Sequence, residues 1–119
     1  FLRPKGSSHY TNICQTNAKN LYWSMEQQLA HHTITGCNVA PGDLMASGTI
    51  SGSESKSFGS MLELTWNGTK PLELRDGQKR TFLQDYDEIK MTGWAEGEGY
   101  KVGFGDLIGM STPPKEPTA

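Results

Sequence analysis

Three compact turn signals cut the second half of the chain into short extended segments. Asn67-Gly68 and Asp76-Gly77 each supply the positive backbone φ that a tight hairpin turn needs, and Glu96-Gly97-Glu98-Gly99 forms a third, glycine-rich reversal. Residues 60–66 alternate, with Leu62, Leu64 and Trp66 on one face and Met61, Glu63 and Thr65 on the other. Residues 71–75, 79–83, 89–94 and 100–104 continue the series as further strands. Such a series can bury its apolar face only as an antiparallel sheet closed on itself or sandwiched.

The first half is different in kind. Residues 9–15 have weak strand character, after which Thr16 or Asn17 can cap a helix. Leu21, Met25 and Leu29 recur at four-residue spacing, Tyr22 widens the stripe and Gly36 follows as a stop, which predicts a helix at about residues 17–32. Pro41-Gly42-Asp43 reads as a turn, and residues 44–50 alternate again as a strand that sets Thr49 on the less apolar side. The polar stretch 51–57 is a loop within one domain, and the proline-bearing tail 111–119 is expected to be disordered. The fold class is therefore α+β, mainly β, with all of residues 1–119 in one domain. A start at Phe1 rather than methionine is expected of an excerpt from a longer protein.

Charge and composition exclude several partners. With 11 Lys and Arg against 13 Asp and Glu, the net charge of −2 offers no broad attraction for nucleic acid or anionic lipid. No apolar run approaches a membrane span and no signal peptide opens the chain, so a cytoplasmic protein is expected, with Cys14 and Cys37 as reduced, buried or neutral thiols. Asn67-Gly68-Thr69 matches the glycosylation acceptor but reads better as a turn.

Motifs that carry chemistry are few. His31, His32 and Cys37 lack the spacing of a tetrahedral zinc motif, and the two imidazoles are expected on the free carbonyls at the helix end. Gly97, Gly99, Gly103, Gly105 and Gly109 do not form a G-x-G-x-x-G loop, and Gly48-Thr49-Ile50-Ser51-Gly52 places its serine one position late for a nucleophile elbow. Glu63 stands out as the one charge in its run. Patterning alone favours an exposed strand face with a surface ion pair there.

Three segments shift that balance. They are Leu21-Tyr22-Trp23-Ser24-Met25 through His31-His32, Gly36-Cys37-Asn38-Val39-Ala40-Pro41-Gly42-Asp43 through Ser47-Gly48-Thr49-Ile50-Ser51-Gly52, and Phe58-Gly59-Ser60-Met61-Leu62-Glu63-Leu64. With Gly68-Thr69-Lys70-Pro71 and the stretch from Gly97 to Gly105, they resemble the fumarylacetoacetate hydrolase family over nearly the whole chain. Ser47-Gly48-Thr49-Ile50 departs from the Thr-Gly-Thr-Pro of the wider superfamily, which favours the hydrolase branch.

The resemblance implies a mixed β-sandwich roll, a homodimer, and hydrolysis of a carbon–carbon bond in 4-fumarylacetoacetate to fumarate and acetoacetate, the last step of tyrosine and phenylalanine catabolism. It implies a histidine base that takes a proton from water, with Glu63 in the position of the catalytic glutamate that orients it and Thr49 in that of the substrate-binding threonine. It also implies calcium and magnesium, held by carboxylates upstream of this segment, where the base and the other substrate-binding residues lie as well. His9, His31 and His32 do not match that base, so the fragment alone is expected to be inactive. The alternatives are a noncatalytic structural module and another superfamily activity, such as a decarboxylase or isomerase on a related keto acid.

Overall fold

Ser24 decides where the one long helix begins. Its hydroxyl accepts the Gln27 backbone N–H at 3.3 Å while the Gln27 side chain accepts the Ser24 N–H at 2.9 Å, a capping box that satisfies two free donors at once. The structure, a computed structural model describing residues 1–115, accordingly places α1 at Met25–Thr33. The predicted start at residue 17 is wrong. Asn17 caps only the 3₁₀ turn Ala18–Asn20, and Leu21 is already extended at φ −69° and ψ 131°. Beyond α1 the chain turns at Gly36, whose φ is +86°.

Two predicted strands are absent. Residues 44–50 form no ladder, and Gly48 at φ +78° breaks the extended run before it can pair. Residues 60–66 fold instead as a single helical turn, α2 (Met61–Leu64), followed by left-handed backbone at Trp66, Asn67 and Gly68. Ser60 caps it by accepting the Glu63 N–H at 3.3 Å, so Ser60-x-x-Glu63 was a helix-start signal hidden under a period-two alternation. Asn67-Gly68 is thus the exit from a helix rather than a hairpin turn.

The remaining turns lie between strands as expected. Around Asp76-Gly77, with Gly77 at φ +81°, β2 (Leu72–Glu73) pairs antiparallel with β3 (Lys79–Arg80). Around residues 97–100, β4 (Glu88–Gly97) pairs with β5 (Tyr100–Met110), both longer than predicted. A bulge gives β5 one extra residue opposite Gly93, and Gly105 takes φ +79° there. The unforeseen strand β1 (Leu2–Arg3) adds to the other edge of β4, giving the order β1-β4-β5, while residues 9–15 contribute only a bridge from Thr11 to Leu2.

Two antiparallel sheets and one nine-residue helix make the fold α+β and mainly β. Among the described residues, Leu2 and Leu74 are buried apolar side chains, at 0% and 5% exposure, and Pro4 is buried as well. Fully burying a leucine is worth about 1.5–3 kcal/mol, and polar contacts are buried beside this small apolar set. Arg80 and Asp87 form one of them: Nε and Nη2 donate to Oδ2 and Oδ1 at 2.8 and 2.9 Å, and the Gln84 N–H donates to Oδ2 at 2.9 Å. By contrast, no residue of α1 is buried, and every residue of β5 is exposed, Val102, Phe104 and Leu107 included. The Ser111 N–H and C=O pair with Asp87 and Tyr86, which carries backbone pairing one residue past β5. Residues 116–119 of the expected disordered tail lie outside the described residues.

Candidate active site

Glu63 sits at the third position of α2, half-buried, with its carboxylate turned back over the cap. Ser60 Oγ, which accepts the Glu63 N–H, also donates to Oε2 at 2.8 Å. A second hydroxyl arrives from a remote segment: Ser51 Oγ lies 2.9 Å from both Oε1 and Oε2 and itself accepts the Gly59 N–H at 3.0 Å. No Lys, Arg or His among the described residues makes an ion pair with this carboxylate. Both the mid-strand location and the surface ion pair expected from patterning are therefore corrected.

Thr49 reaches the same neighbourhood through Gly59. A Cβ on Gly59 would stand 2.4 Å from the Ile50 carbonyl oxygen and 2.8 Å from the Thr49 methyl, so segment 49–51 runs directly against the turn before α2. Glycine is required because backbone, which cannot swing aside, fills that space. Thr49 itself is exposed. Gln15 donates its N–H to the Lys56 carbonyl at 2.9 Å, tying residue 15 to the loop that carries Ser51. Burial pushes the Cys14 thiol up; the N-terminal ammonium opposes this and the Glu63 carboxylate adds to it.

The histidines lie elsewhere. His32 Nε2 is 3.4 Å from Cys37 Sγ, and the carbonyls of Leu29 and Ala30 at the end of α1 accept the Thr33 hydroxyl at 3.1 and 3.2 Å. Among the described residues neither imidazole bonds a carbonyl at the end of α1; the Thr33 hydroxyl, one turn on, reaches those of Leu29 and Ala30, and the Gly36 N–H takes that of Thr33. Neither cysteine is fully buried: Cys14 is half-buried and Cys37 exposed. Among the described residues no group of three or more His, Cys, Asp or Glu could hold a metal ion, so they do not fit a calcium or magnesium site. A groove of about 370 Å³ lined by His32, Val39, Asp43, Leu44, Met45 and Ala46 includes neither Thr49 nor Glu63.

Ser60 and Ser51 were missed as site residues. The Ser60-x-x-Glu63 spacing could have found the first, whereas nothing local marks Ser51, which reads as the start of a polar loop.

A hydroxyl-held carboxylate beside a threonine is compatible with many chemistries; kinship narrows them. Residues 9–111 match the family described as fumarylacetoacetate (FAA) hydrolase C-terminal. The chain belongs to that family. Its relatives include the fumarylacetoacetases of Mus musculus, 54% identical over 116 residues, and of Homo sapiens, 53% identical over 117 residues. The fumarylacetoacetase of Arabidopsis thaliana is 52% identical over 112 residues. The first two matches cover 98% of this chain but only 28% of each relative, and the third covers 94% and 26%. The chain thus spans little more than a quarter of these family members. Within the described residues no helix is long and apolar enough to cross a membrane.

Proposed function

We propose that this chain is part of a fumarylacetoacetase, a hydrolase that adds water across a carbon–carbon bond of 4-fumarylacetoacetate and releases fumarate and acetoacetate. Its contribution is Glu63 and Thr49. In this reading a histidine from sequence outside these residues takes a proton from the attacking water, and Glu63 accepts that imidazole's other N–H. A carboxylate there fixes the ring's orientation and favours the imidazolium that forms as water attacks. Thr49, exposed on the neighbouring segment, offers its hydroxyl to the substrate. In this reading calcium and magnesium are held by side chains upstream of this segment, and the complete enzyme is a homodimer in the cytoplasm.

One observation carries the reading: in a segment shared with fumarylacetoacetases, the Glu63 carboxylate is held by two hydroxyl donors and has no cationic partner among the described residues. Such a group is poised for a cationic partner supplied from elsewhere.

The test is an assay of the full-length protein that carries this segment. Loss of the diketone absorbance with one fumarate and one acetoacetate per substrate consumed is expected. The isolated 119-residue chain is expected to give none above a no-protein control, with calcium or magnesium added. No products from the full-length protein, or metal-dependent products from the chain alone, would overturn the assignment.

A further inference from the structure

We propose that Ser51 is a positioning residue for Glu63, and that its hydroxyl sets the orientation from which the carboxylate meets the histidine. The proposal rests on Glu63 being the acidic partner of the base.

A glutamate carboxyl turns about a broad terminal torsion, so a single hydrogen bond leaves its plane poorly defined. Ser60 supplies one donor, to Oε2, but Ser60 is the helix's own cap and would hold any acidic residue at this position. Ser51 comes from twelve residues away and stands 2.9 Å from both carboxylate oxygens, so it grips the group between them. A hydroxyl has one proton to give, and the Gly59 N–H pointing into the Ser51 oxygen at 3.0 Å turns that proton toward Glu63. Oε2 thereby has a donor of its own while Oε1 has only the shared one. Oε1 retains the greater capacity for an imidazole N–H.

Ser51 also links the two proposed site residues. It lies two positions after Thr49 on the segment that runs against Gly59, so the hydrogen bond that orients Glu63 also fixes the segment presenting Thr49. Nothing else among the described hydrogen bonds joins segment 49–51 to the Glu63 side chain.

The experiment measures turnover, Michaelis constant and thermal midpoint in the full-length protein for Ser51→Ala, Ser51→Thr, Glu63→Gln and the double variant Ser51→Ala with Glu63→Gln. Ser51→Ala is expected to lower turnover roughly tenfold to a hundredfold, the worth of one hydrogen bond to a charged group. The Michaelis constant should stay within about threefold, since the loss falls on the transition state. Ser51→Thr keeps the hydroxyl and should recover most of the turnover. In the Glu63→Gln background, Ser51→Ala should cost less than about twofold, because its effect runs through the carboxylate. Ser51→Cys, near-isosteric with a weak donor, gives the same readout if Ser51→Ala does not fold. Normal turnover in Ser51→Ala with an inactive Glu63→Gln overturns this proposal alone, as does an equal loss from Ser51→Ala in both backgrounds. A fully active Glu63→Gln overturns both this proposal and the reading it rests on.

Discussion

Glu63 and Asp87 are both carboxylates held by several hydrogen bonds, yet their surroundings are opposite. Asp87 is fully buried and faces a guanidinium of its own chain, which binds it through two parallel bonds at 2.8 and 2.9 Å. Burial alone would push its carboxyl up. The hydrogen bonds from Arg80 and from the backbone of Gln84 and Lys5, with the Arg80 charge, outweigh burial and leave it below the usual carboxylate range. Glu63 is half-buried, held by neutral hydroxyls, and has no cation within the described residues. A carboxylate whose counter-ion is built in serves the fold. One whose donors are neutral and whose capacity is unfilled has room for chemistry.

The sharpest break between the two comes from removing each charge in the full-length protein. Glu63→Gln keeps size and most geometry, so turnover is expected to fall about 10² to 10⁴ with folding intact, as when a base's acidic partner is disabled. A stable and fully active variant would leave Glu63 as a side chain that only accepts hydrogen bonds from Ser51 and Ser60. Asp87→Asn strands the 7%-exposed Arg80 side chain without its counter-charge. The expected cost is about 3–5 kcal/mol in denaturant unfolding, with turnover per folded molecule unchanged.

Acid separates them as well. Because Asp87 titrates below its ordinary value in the fold, its contribution is fully present above the unfolded-state value of about 3.9 and is lost as pH falls through the lower folded value. The thermal midpoint of the native protein should therefore drop in that acid window, and the part of the drop due to Asp87 should vanish in Asp87→Asn. An identical acid limb in both proteins would contradict the pairing.

Two smaller effects sharpen the Glu63 side. Thr49→Val is expected to weaken substrate binding by about 1.5–3 kcal/mol if the hydroxyl meets a charged substrate group, with the thermal midpoint unmoved. Unchanged Michaelis constant and turnover would leave Thr49 no substrate contact. Gly59→Ala forces a methyl against the Ile50 carbonyl and should cost about 1–3 kcal/mol of stability, with a parallel fall in turnover as segment 49–51 moves off Glu63. Full activity in Gly59→Ala would show that this close approach does not shape the site.

What the sequence revealed follows the same division. The β2–β3 and β4–β5 turns were legible because each is fixed by local chemistry, a glycine at positive φ between extended segments. The helix start was misplaced because Asn17 and Ser24 are both good caps, and only Ser24 has Gln27 to complete a box. Residues 60–66 were read as a strand because Leu62, Leu64 and Trp66 alternate, although Ser60 and Glu63 already spelled a helix cap. Residues 44–50 failed for a different reason: the alternation is there, but Gly48 at φ +78° ends the extended run before it can pair. For the site, Glu63 and Thr49 came from the family resemblance. The Ser51 contact depends on a loop closing back over twelve residues, which no local pattern encodes.

The most direct measurement is the imidazole N–H region of the NMR spectrum of the full-length protein labelled with ¹⁵N-histidine. If the open oxygen of Glu63 holds the histidine base, one hydrogen-bonded imidazole proton should appear well downfield in the native protein, persist in Asp87→Asn and be lost or strongly shifted in Glu63→Gln. The same downfield resonance in all three proteins would contradict the assignment of Glu63 as the base's acidic partner.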